Sequence, residues 1–522
     1  MSVIDKASLI QIPSGYKKGK LYSVKPTPTY GSELVVNGDF SNGSTGWSDF
    51  GTPTTSEQST DRAYLGSYSW YVLASVFRQG IFSLNNFSLV NGKTYKVSFW
   101  VYAVDGNEIL SGVTNSDATV FTSRVVTQGE WSNVVYYITA NANSASYISL
   151  LSSSSTLEFY VDNVSVKEIT NIGDFTFSRS SSATRVNSEG LIEEMSTNVP
   201  RLDYSDASCA SLLLEGQSTN LVTYSEDFRS NSNFSTNAPN SIFESGYLAP
   251  DGSLTATRIN SFDGYYVALS NLGSGDARSM YVKSGNGQNG NVNLLDNNSH
   301  THSLFEVTNE WKRVELVGND TWFYIVDGRG GSLTLDDVIV WGLQQEDLSY
   351  ATSYIPTSGS TVTRTADVCN NAGTSATFNS TEGVLFAEIL KKQDNNDNFI
   401  LISLNNDASN SAANSVTIGF DNSDKFFFRV KSPSGSYTSQ TILSNENQFY
   451  KVALKYKSGD IAIWIDGVEV ATSTVSFLFA QTLDNLSFDY NGNGTLPFYG
   501  KCKQLIVFNE ALSDSELQAL TS

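Results

Sequence analysis

Residues that commonly perform catalysis are scarce in this chain of 522 residues. Its only histidines, His300 and His302, lie together in the polar stretch NNSHTHS. An H-x-H pair can bind a metal ion, but one pair without further ligands is an incomplete site, so we favour a solvated loop. Without another histidine, a Ser/His or Cys/His nucleophile system has almost no material.

Carboxylates are abundant, with 53 Asp and Glu residues in the chain. Paired carboxylates can hydrolyse glycosidic bonds, so a polysaccharide depolymerase is an alternative that composition leaves open. No pair lies in a recognisable catalytic motif, however. We therefore expect no catalytic residues and no enzymatic activity.

Aromatic residues offer a different chemistry, because flat rings stack on the C–H faces of sugars. In the segment VSFWVYA (Val97–Ala103), strand alternation places Trp100 and Tyr102 on the face opposite the aliphatic side chains. The candidate glycan-binding residues are Trp100, Tyr102, Trp70 and Tyr71. The alternative is that a neighbouring domain or subunit covers these rings, which is the commoner arrangement in large β-assemblies.

The elements that would hold these residues are β-strands. Aromatic residues make up 12% of the chain and charged residues only 16%, with 39 glycines. This composition favours short strands joined by polar turns, and the length favours three or four domains. The net charge of −21 argues against a nucleic-acid partner. We expect an all-β protein of tandem β-sandwiches.

The first thirty residues are basic, unlike the rest of the chain. Their lysines, opposed by Asp5 alone, are Lys6, Lys17, Lys18, Lys20 and Lys25. They form either a solvated tail or an arm that docks on an acidic partner surface. The segment lacks the apolar core of a signal peptide, and no apolar run is long enough to insert in a membrane, so we expect synthesis in a cytoplasm.

The three cysteines, Cys209, Cys369 and Cys502, are widely spaced. Their spacing fits neither a disulfide framework nor a zinc site. We therefore expect buried free thiols.

An internal repeat sets the domain organisation. LVVNGDF (Leu34–Phe40) recurs as LVTYSEDF (Leu221–Phe228), and VSFWVYA recurs as RSMYVKS (Arg278–Ser284). Trp100 precedes Trp131 by 31 residues, and Tyr281 precedes Trp311 by 30. The repeat predicts two copies of one β-sandwich, at residues 31–170 and 221–350.

The motifs NGDF, FW, EW and VDNVSV of the first copy resemble carbohydrate-binding modules with the galactose-binding-like jelly-roll fold. The resemblance implies one structural Ca²⁺ in each copy. Its ligands would be Asp39 and Asp162 in the first copy, and Asp227 and Asp336 in the second. The alternative for each is a turn aspartate bonded to its own backbone.

Residues 369–522 resemble the concanavalin A-like, laminin-G-type sandwich. The resemblance rests on FYKVALKYKSGDIAIWIDGVEV (Phe449–Val470) and on the closing CKQLIVFNEALSDSELQAL (Cys502–Leu520). Asp466-Gly467 predicts a hairpin turn, and Ser513 with Glu516 predicts a capping box that opens a short helix.

The remaining segments, SLIQIPSGYKKGKLYSVKPT (Ser8–Thr27) and GDFTFSRSSSATRVNSEGLIEE (Gly173–Glu194), resemble structural proteins of tailed bacteriophages of the crAss-like and marine podovirus types. The resemblance implies that residues 1–30 are a virion-attachment segment. It also implies that residues 31–170 are inserted, and that residues 171–220 are a connector folding with residues 8–27. The segment YATSYIPTSGSTVTRTADV (Tyr350–Val368) resembles the same proteins, so residues 351–368 are expected to link the second and third sandwiches without being a generic flexible linker.

Together these observations predict a non-enzymatic virion protein, either a head or tail fibre or a decoration protein. Its partners would be other virion proteins and host-surface or mucosal glycans, and it would assemble as a homo-oligomer, with a trimer favoured. It would lie on the virion surface after synthesis in the bacterial cytoplasm. The alternative is a purely structural protein that cements the capsid or tail.

Overall fold

A computed structural model of the chain forms two compact units, Met1–Pro26 with Gly173–Ser522, and Thr27–Ile172. It describes every residue except 1, 14, 26–28, 85–86, 118–121, 155, 172, 207–208, 271, 273–274, 296–302, 331–332, 393–398, 407–412, 446–447 and 493. The two histidines lie outside the described residues. Among the residues described, no helix is both long and apolar enough to cross a membrane.

The unit Thr27–Ile172 is a β-sandwich, which we call the first sandwich. Its strands are β4 (Thr29–Glu33), β5 (Trp47–Phe50), β6 (Thr55–Ser59), β7 (Ser69–Ala74), β8 (Gly80–Ser83), β9 (Phe87–Leu89), β10 (Thr94–Ala103), β11 (Glu108–Val113), β12 (Thr122–Val125), β13 (Trp131–Thr139), β14 (Ser144–Ser146), β15 (Ile148–Ser152) and β16 (Leu157–Asn171). One sheet has the order β13-β10-β16-β7-β6, with β4 also paired to β16, and the facing sheet has the order β12-β11-β15-β8-β5.

Strand alternation builds the core of this sandwich. Every second residue of β10, from Tyr95 to Ala103, is buried, including Val97, Phe99 and Val101 as the sequence predicts. These side chains pack against the inner face of the other sheet, on residues such as Ile109. The intervening residues of β10 are left on the outer face of the sheet.

The second unit begins with a short 3₁₀ turn at Val3–Lys6 and three strands. These are β1 (Ala7–Gln11), β2 (Tyr16–Lys17) and β3 (Lys20–Leu21). After the first sandwich the chain continues with β17 (Phe175–Ser178), β18 (Ala183–Val186), β19 (Ile192–Met195), β20 (Arg201–Asp203), β21 (Ser211–Leu214) and β22 (Ser218–Asn220). We call residues 173–220 the connector.

The second sandwich follows, with 3₁₀ turns at Phe228–Ser230 and Asn240–Ile242. Its strands are β23 (Phe234–Thr236), β24 (Phe243–Tyr247), β25 (Ala256–Asn260), β26 (Tyr266–Leu269), β27 (Gly275–Ser284), β28 (Gly290–Asn293), β29 (Leu304–Val307), β30 (Lys312–Asp320), β31 (Phe323–Asp327) and β32 (Asp337–Glu346). Its main sheet, β30-β27-β32-β25-β24, has the same order as the β13-β10-β16-β7-β6 sheet, as the repeat predicts.

The third sandwich completes the unit. Its elements are β33 (Val362–Arg364), β34 (Val368–Asn370), β35 (Glu382–Lys391), β36 (Ile400–Asn405), β37 (Ser415–Phe420), β38 (Lys425–Ser432), β39 (Gly435–Leu443), β40 (Phe449–Lys457), β41 (Ile461–Ile465), β42 (Val468–Ser473), β43 (Asn485–Ser487), β44 (Gly500–Phe508) and helix α1 (Asp514–Thr521). Asp466 and Gly467 turn between β41 and β42 with φ of 45° and 78°, and Ser513 with Glu516 caps α1, both as predicted.

The N-terminal segment is not a free tail in this structure. β1 pairs with β44 of the third sandwich, and Leu9 and Ile10 are buried there. β3 pairs with β17 of the connector, and β17 pairs in turn with β34. The segments on either side of the first sandwich therefore share one small sheet.

A buried ionic cluster ties the connector to the segment 351–368. The Asp367 carboxylate accepts hydrogen bonds from Arg179 (3.0 Å) and from Arg201, while Glu215 accepts from Arg201 (2.7 Å) and from Arg364. All five side chains are at most 2% exposed. The segment 351–368 is therefore more than a flexible connection, because its charged residues complete a buried network and its β33 pairs with β22.

The cysteines carry no disulfide among the described residues. Cys369 and Cys502 are buried free thiols, as expected, whereas Cys209 is exposed. The expectation of burial is wrong for Cys209, which lies in the turn between β20 and β21.

Candidate glycan-binding surface

The opening motif NGDF builds the core of the first sandwich. Phe40 is fully buried, and its ring centroid lies 5.1 Å from that of Trp47 and 5.7 Å from that of Trp70. Gly38 approaches the backbone of Val164 so closely that a Cβ there would lie 2.0 Å from its carbonyl oxygen. The motif is therefore explained by packing.

Trp70 must be removed from the glycan-binding candidates. It is 6% exposed, lies in the core of the first sandwich, and donates its Nε1–H to Ser56 Oγ at 2.9 Å. The physical reason is alternation along β7, which turns Trp70 inward and its neighbour Tyr71 outward.

Four aromatic residues form a continuous row across the outer face of the β13-β10-β16-β7-β6 sheet. The register pairs Tyr71 with Tyr160, Tyr160 with Tyr102, and Tyr102 with Trp131. The ring centroids of these pairs are 4.9, 6.3 and 5.9 Å apart. We call Tyr71, Tyr160, Tyr102 and Trp131 the aromatic row. It crosses four adjacent strands, so it spans roughly 14 Å at the usual strand spacing.

The loop between β6 and β7 folds over one side of the aromatic row. The Arg62 guanidinium lies 4.3 Å above the ring of Tyr102, and the Tyr64 ring stacks on that of Trp100 at 3.6 Å with an interplanar angle of 12°. Trp100 is thus on the predicted face, but its ring is already stacked on Tyr64 of the same chain. Within the aromatic row, Tyr71, Tyr102 and Trp131 are partly exposed, whereas Tyr160 is only 8% exposed.

Asp162 holds this loop in place. Its Oδ2 accepts the backbone N–H groups of Tyr64 at 2.8 Å and Leu65 at 3.1 Å, and its Oδ1 accepts that of Asn163 at 2.7 Å. Asp162 is fully buried, and burial raises the pKa of its carboxyl although the three N–H donors act in the opposite direction.

Acidic residues lie beside the aromatic row. Burial raises the pKa of the Tyr71 hydroxyl to about 12, and the charge of Glu158 and a hydrogen bond to it add to the effect. Burial also raises the pKa of Tyr160, with the charges of Asp61 and Glu158 contributing. Arg62 is the cation that faces these tyrosines, so the surroundings of the row are mainly negative.

The corresponding face of the second sandwich is covered by the chain itself. Tyr281 and Trp311, the counterparts of Trp100 and Trp131, lie against a cluster that includes Ile192 of the connector. Trp341 is 1% exposed, and its ring centroid lies 4.5 Å from that of Tyr354. In the second sandwich, a neighbouring segment of the chain therefore covers the aromatic residues on the outer face, as the alternative interpretation expects.

The aspartates proposed as calcium ligands form local hydrogen bonds. Asp39 Oδ1 accepts the N–H (3.3 Å) and hydroxyl (3.0 Å) of Ser41, and Asp227 Oδ2 accepts the Ser230 hydroxyl at 2.5 Å. Asp162 is saturated by the N–H groups described above. Within the described part of the chain, no three acidic, histidine or cysteine side chains converge on one point. This donor set does not fit a calcium shell of six to eight oxygens.

Asp162 and Asp336 are also not equivalent in the two sandwiches. Asp162 lies within β16 opposite Trp100, whereas Tyr281 lies opposite Trp341 and Asp336 precedes the start of β32. The similarity of VDNVSV and LDDVIV therefore places the second calcium candidate about five residues away from the structural counterpart of the first.

The five N-terminal lysines differ from one another in exposure and in partners. Lys6 contacts Glu510 at 2.9 Å and Glu516 at 2.7 Å in its own unit, and Lys25 donates to the carbonyl of Asp5 at 2.9 Å. Lys18 is exposed, while Lys17 and Lys20 are half-buried. At least Lys6 thus neutralises acids of the chain itself.

Sequence reasoning identified Tyr71 and Tyr102 but missed half of the aromatic row. Trp131 and Tyr160 stand in the motifs GEW and FYVDNV, and strand register alone brings them beside Tyr102. Alternation along FYVDNV could have placed Tyr160 on the outer face. Arg62 and Tyr64 lie in a loop, whose course alternation does not predict.

Comparisons with known proteins find family matches for the first and third sandwiches. Residues 32–156 match a family described as a carbohydrate binding domain, and residues 390–518 match the concanavalin A-like lectin/glucanases superfamily. No curated protein matches the chain. The chain therefore contains a carbohydrate-binding module and a concanavalin A-like domain in an all-β architecture.

Several solved structures resemble part of the chain. The CBM22-1 xylan-binding domain of Paenibacillus barcinonensis Xyn10C is 15% identical, with 28% of this chain and 98% of that chain covered and a TM-score of 0.22. A family 16 carbohydrate binding module is 24% identical; the match covers 26% of this chain and 98% of that chain, with a TM-score of 0.22. The CBM40 of the Ruminococcus gnavus IT-sialidase, bound to α2,3 sialyllactose, is 16% identical; the match covers 29% of this chain and 94% of that chain, with a TM-score of 0.25.

Proposed function

We propose that this protein binds glycans through the aromatic row of the first sandwich and makes or breaks no covalent bond. The observation that carries the proposal is the alignment of four outward-facing rings across four adjacent strands. Rings spaced about 5 to 6 Å apart match successive sugar units, so the row suits an extended glycan lying across the strands.

The acidic surroundings of the row favour uncharged glycans. Glu57, Glu158 and Asp61 act on Tyr71 and Tyr160, and a polyanionic glycan would be repelled by these carboxylates, most strongly at low ionic strength. We expect neutral polysaccharides to bind more tightly than uronate-rich or sulfated ones in low salt, with the difference shrinking as salt is added.

The test is binding of the full chain to arrayed glycans and host polysaccharides, with Trp131→Ala and Tyr102→Ala beside the wild type. Loss of one stacked ring should weaken binding at least tenfold. Tyr137→Ala is the matched control, because Tyr137 is 40% exposed on the same face of the same strand, about 20 Å from Trp131. Equal binding by all four proteins, each shown to be folded, would refute the aromatic row as the site.

We further propose that the protein is displayed on a bacteriophage virion, as a fibre or decoration protein that attaches to host-surface or mucosal glycans. Support comes from the phage-type segments at Ser8–Thr27 and Gly173–Glu194, which precede and follow the first sandwich in the sequence and pair in one sheet. Virion proteins and further copies of the chain, three in the favoured arrangement, would be its partners. Immunogold labelling of intact particles tests this location, and labelling confined to the cytoplasm of infected cells would contradict it.

A purely structural cementing role is the second candidate. One observation favours it: the second sandwich already uses its outward aromatics for packing. Burial of Tyr102 and Trp131 in an assembled particle, measured by protection from oxidative labelling, would support cementing over glycan binding.

A further inference from the structure

A cavity of about 460 Å³ lies between the second sandwich and the connector. One wall is formed by β27 and β30, and the other by the β18–β19 hairpin and the turn after β20. This volume lies within the range of small-ligand sites in proteins. The first sandwich has no counterpart of this cavity, because the connector is not part of its fold.

Four aromatic residues line the cavity, among them Tyr354 of the segment after β32. Tyr281 and Trp311 come from the second sandwich, and Tyr204 comes from the connector. Trp311 is half-buried, with the Lys283 ammonium 5.0 Å from its ring centroid. The cavity therefore offers flat apolar surfaces of the kind that contact the C–H face of a pyranose ring.

Three acids line the cavity, Asp203, Asp206 and Glu315, and the first two contact Lys501. Asp203 accepts hydrogen bonds from the backbone N–H of Val186 (2.9 Å), from Ser205, and from the Lys501 ammonium (2.8 Å). Asp206 also accepts from Lys501. Asp203 therefore has little remaining capacity to accept a hydrogen bond from a ligand.

Donors in the same cavity are not fully used. Arg313 donates from Nη2 to Ser279 Oγ at 2.9 Å and lies 3.6 Å from Glu315 through Nη1, but its buried Nε has no partner among the described residues. Lys392 also lines the cavity; its charge helps to lower the pKa of Glu215, but no described carboxylate lies within 4.0 Å of its ammonium. A buried N–H without an acceptor is costly, and a bound acceptor would relieve that cost.

From the unused donors and the aromatic walls we infer that this cavity binds one sugar unit carrying a carboxylate, such as a uronate. The ring would contact the aromatic walls, and the carboxylate would accept from Arg313 and Lys392. An anionic group suits these two cations, since Asp203 and Asp206 are paired with Lys501 and the remaining acid of the lining, Glu315, is 46% exposed and 3.6 Å from Arg313. This site is separate from the aromatic row, and neither depends on the other.

The test is titration of the full chain with sodium D-glucuronate, monitored by saturation-transfer NMR and calorimetry. D-glucose and acetate serve as probes that lack the carboxylate and the ring, respectively. We expect saturable binding of glucuronate at one site, with both other probes at least tenfold weaker. Glucose or acetate binding as tightly as glucuronate would overturn the inference, as would no binding at about 20 mM glucuronate.

Variants assign the site. Trp311→Ala and Arg313→Gln should each weaken glucuronate binding at least fivefold, whereas Trp131→Ala, in the aromatic row, should leave it unchanged. Lys392 is half-buried at the edge of the cavity, so Lys392→Gln tests the same site if the first two variants fail to fold. Unchanged affinity in folded Lys392→Gln together with folded Trp311→Ala, or loss of affinity in Trp131→Ala, would contradict the assignment.

Discussion

At the scale of single residues, the aspartate of VDNVSV has a different role from the one its motif implies. Asp162 anchors the loop that carries Arg62 and Tyr64 over the outer face of the first sandwich. A buried carboxylate that accepts three backbone N–H groups fixes a loop more firmly than a neutral acceptor would. The order of the candidate surface therefore depends on one residue beneath it.

Asp162→Asn should loosen this loop. The amide replaces one carboxylate oxygen with a donor, so at least one of the three N–H groups loses its acceptor, which costs about 1–3 kcal/mol of folding free energy. We expect a lower melting temperature for the first sandwich and faster hydrogen exchange at Tyr64 and Leu65.

Asp39→Asn is the matched control, because Asp39 is exposed and bonds only within its own turn. It should leave both measurements close to wild type. If adding Ca²⁺ raised the melting temperature of the wild type but not of Asp162→Asn, the carboxylate would be a calcium ligand and our account of it would be wrong.

At the scale of elements, the sequence predicts strands, turns and the helix cap well, because these depend on local patterns. Alternation placed Val97 and Phe99 inside, and the Asp-Gly and Ser-x-x-Glu motifs placed a turn and a helix start. The sequence-based prediction failed where burial depends on a contact between residues far apart in the chain. Arg364 and Asp367 lie in the segment that links the second and third sandwiches. Only their partners Arg201 and Glu215, more than a hundred residues away, show which groups they contact.

Asp367→Asn should destabilise the larger unit strongly. Asp367 accepts from Arg179 and Arg201. Its neutralisation leaves the buried Arg179 guanidinium without a counter-charge and leaves Arg201 with Glu215 alone, which costs about 3–5 kcal/mol. The measurement is urea-induced unfolding of the full chain. Glu193→Gln is the control. The Glu193 side chain pairs with Arg185 but is 44% exposed, so its substitution should change the free energy of unfolding by no more than about 1 kcal/mol. Similar effects of the two variants would show that the cluster is not a major source of stability.

The contact between the N-terminal segment and α1 should be sensitive to acid. Lys6, through its hydrogen bond, lowers the pKa of Glu516 from 4.5 to about 2, and the N–H of Ser513 contributes further. Because the folded-state pKa is depressed, the stabilising contribution is complete above pH 4.5 and is lost as the pH falls toward 2.

Glu516→Gln removes this dependence while keeping a side chain that can cap Ser513. Between pH 5 and 2 the variant should lose less stability than the wild type, measured as the urea midpoint at each pH. Exposed Glu469→Gln should follow the wild-type curve. Parallel curves for Glu516→Gln and the wild type would contradict the proposed linkage.

At the scale of the whole molecule, the first sandwich interrupts a unit that is otherwise closed on itself. Leu21 and Phe175 are direct partners across antiparallel strands, and Ser23 donates its N–H to Asp174 Oδ1 at 2.7 Å. The chain thus leaves and re-enters the larger unit at neighbouring points.

Replacing residues 27–172 with a short Gly-Asn-Gly turn should leave the larger unit folded. We expect its thermal transition to stay within a few degrees of that in the full chain, because the deletion breaks no strand pair of that unit. Binding to the aromatic row's glycans should vanish, whereas glucuronate binding should persist. An insoluble deletion protein, or one whose transition is lost, would show that the first sandwich is needed for folding.

The ends of the first sandwich are themselves paired, with Ile169 opposite Tyr30 in the last and first strands of that unit. A DNA segment that encodes such a module can be exchanged by recombination at two nearby points of the protein without altering either junction's geometry. Lineages that share the larger unit could then acquire new surface specificities by exchanging this module, while the larger unit stays under constant selection. Sequence divergence should therefore change abruptly at about residues 27 and 172, and relatives that lack the module should join β3 to β17 directly.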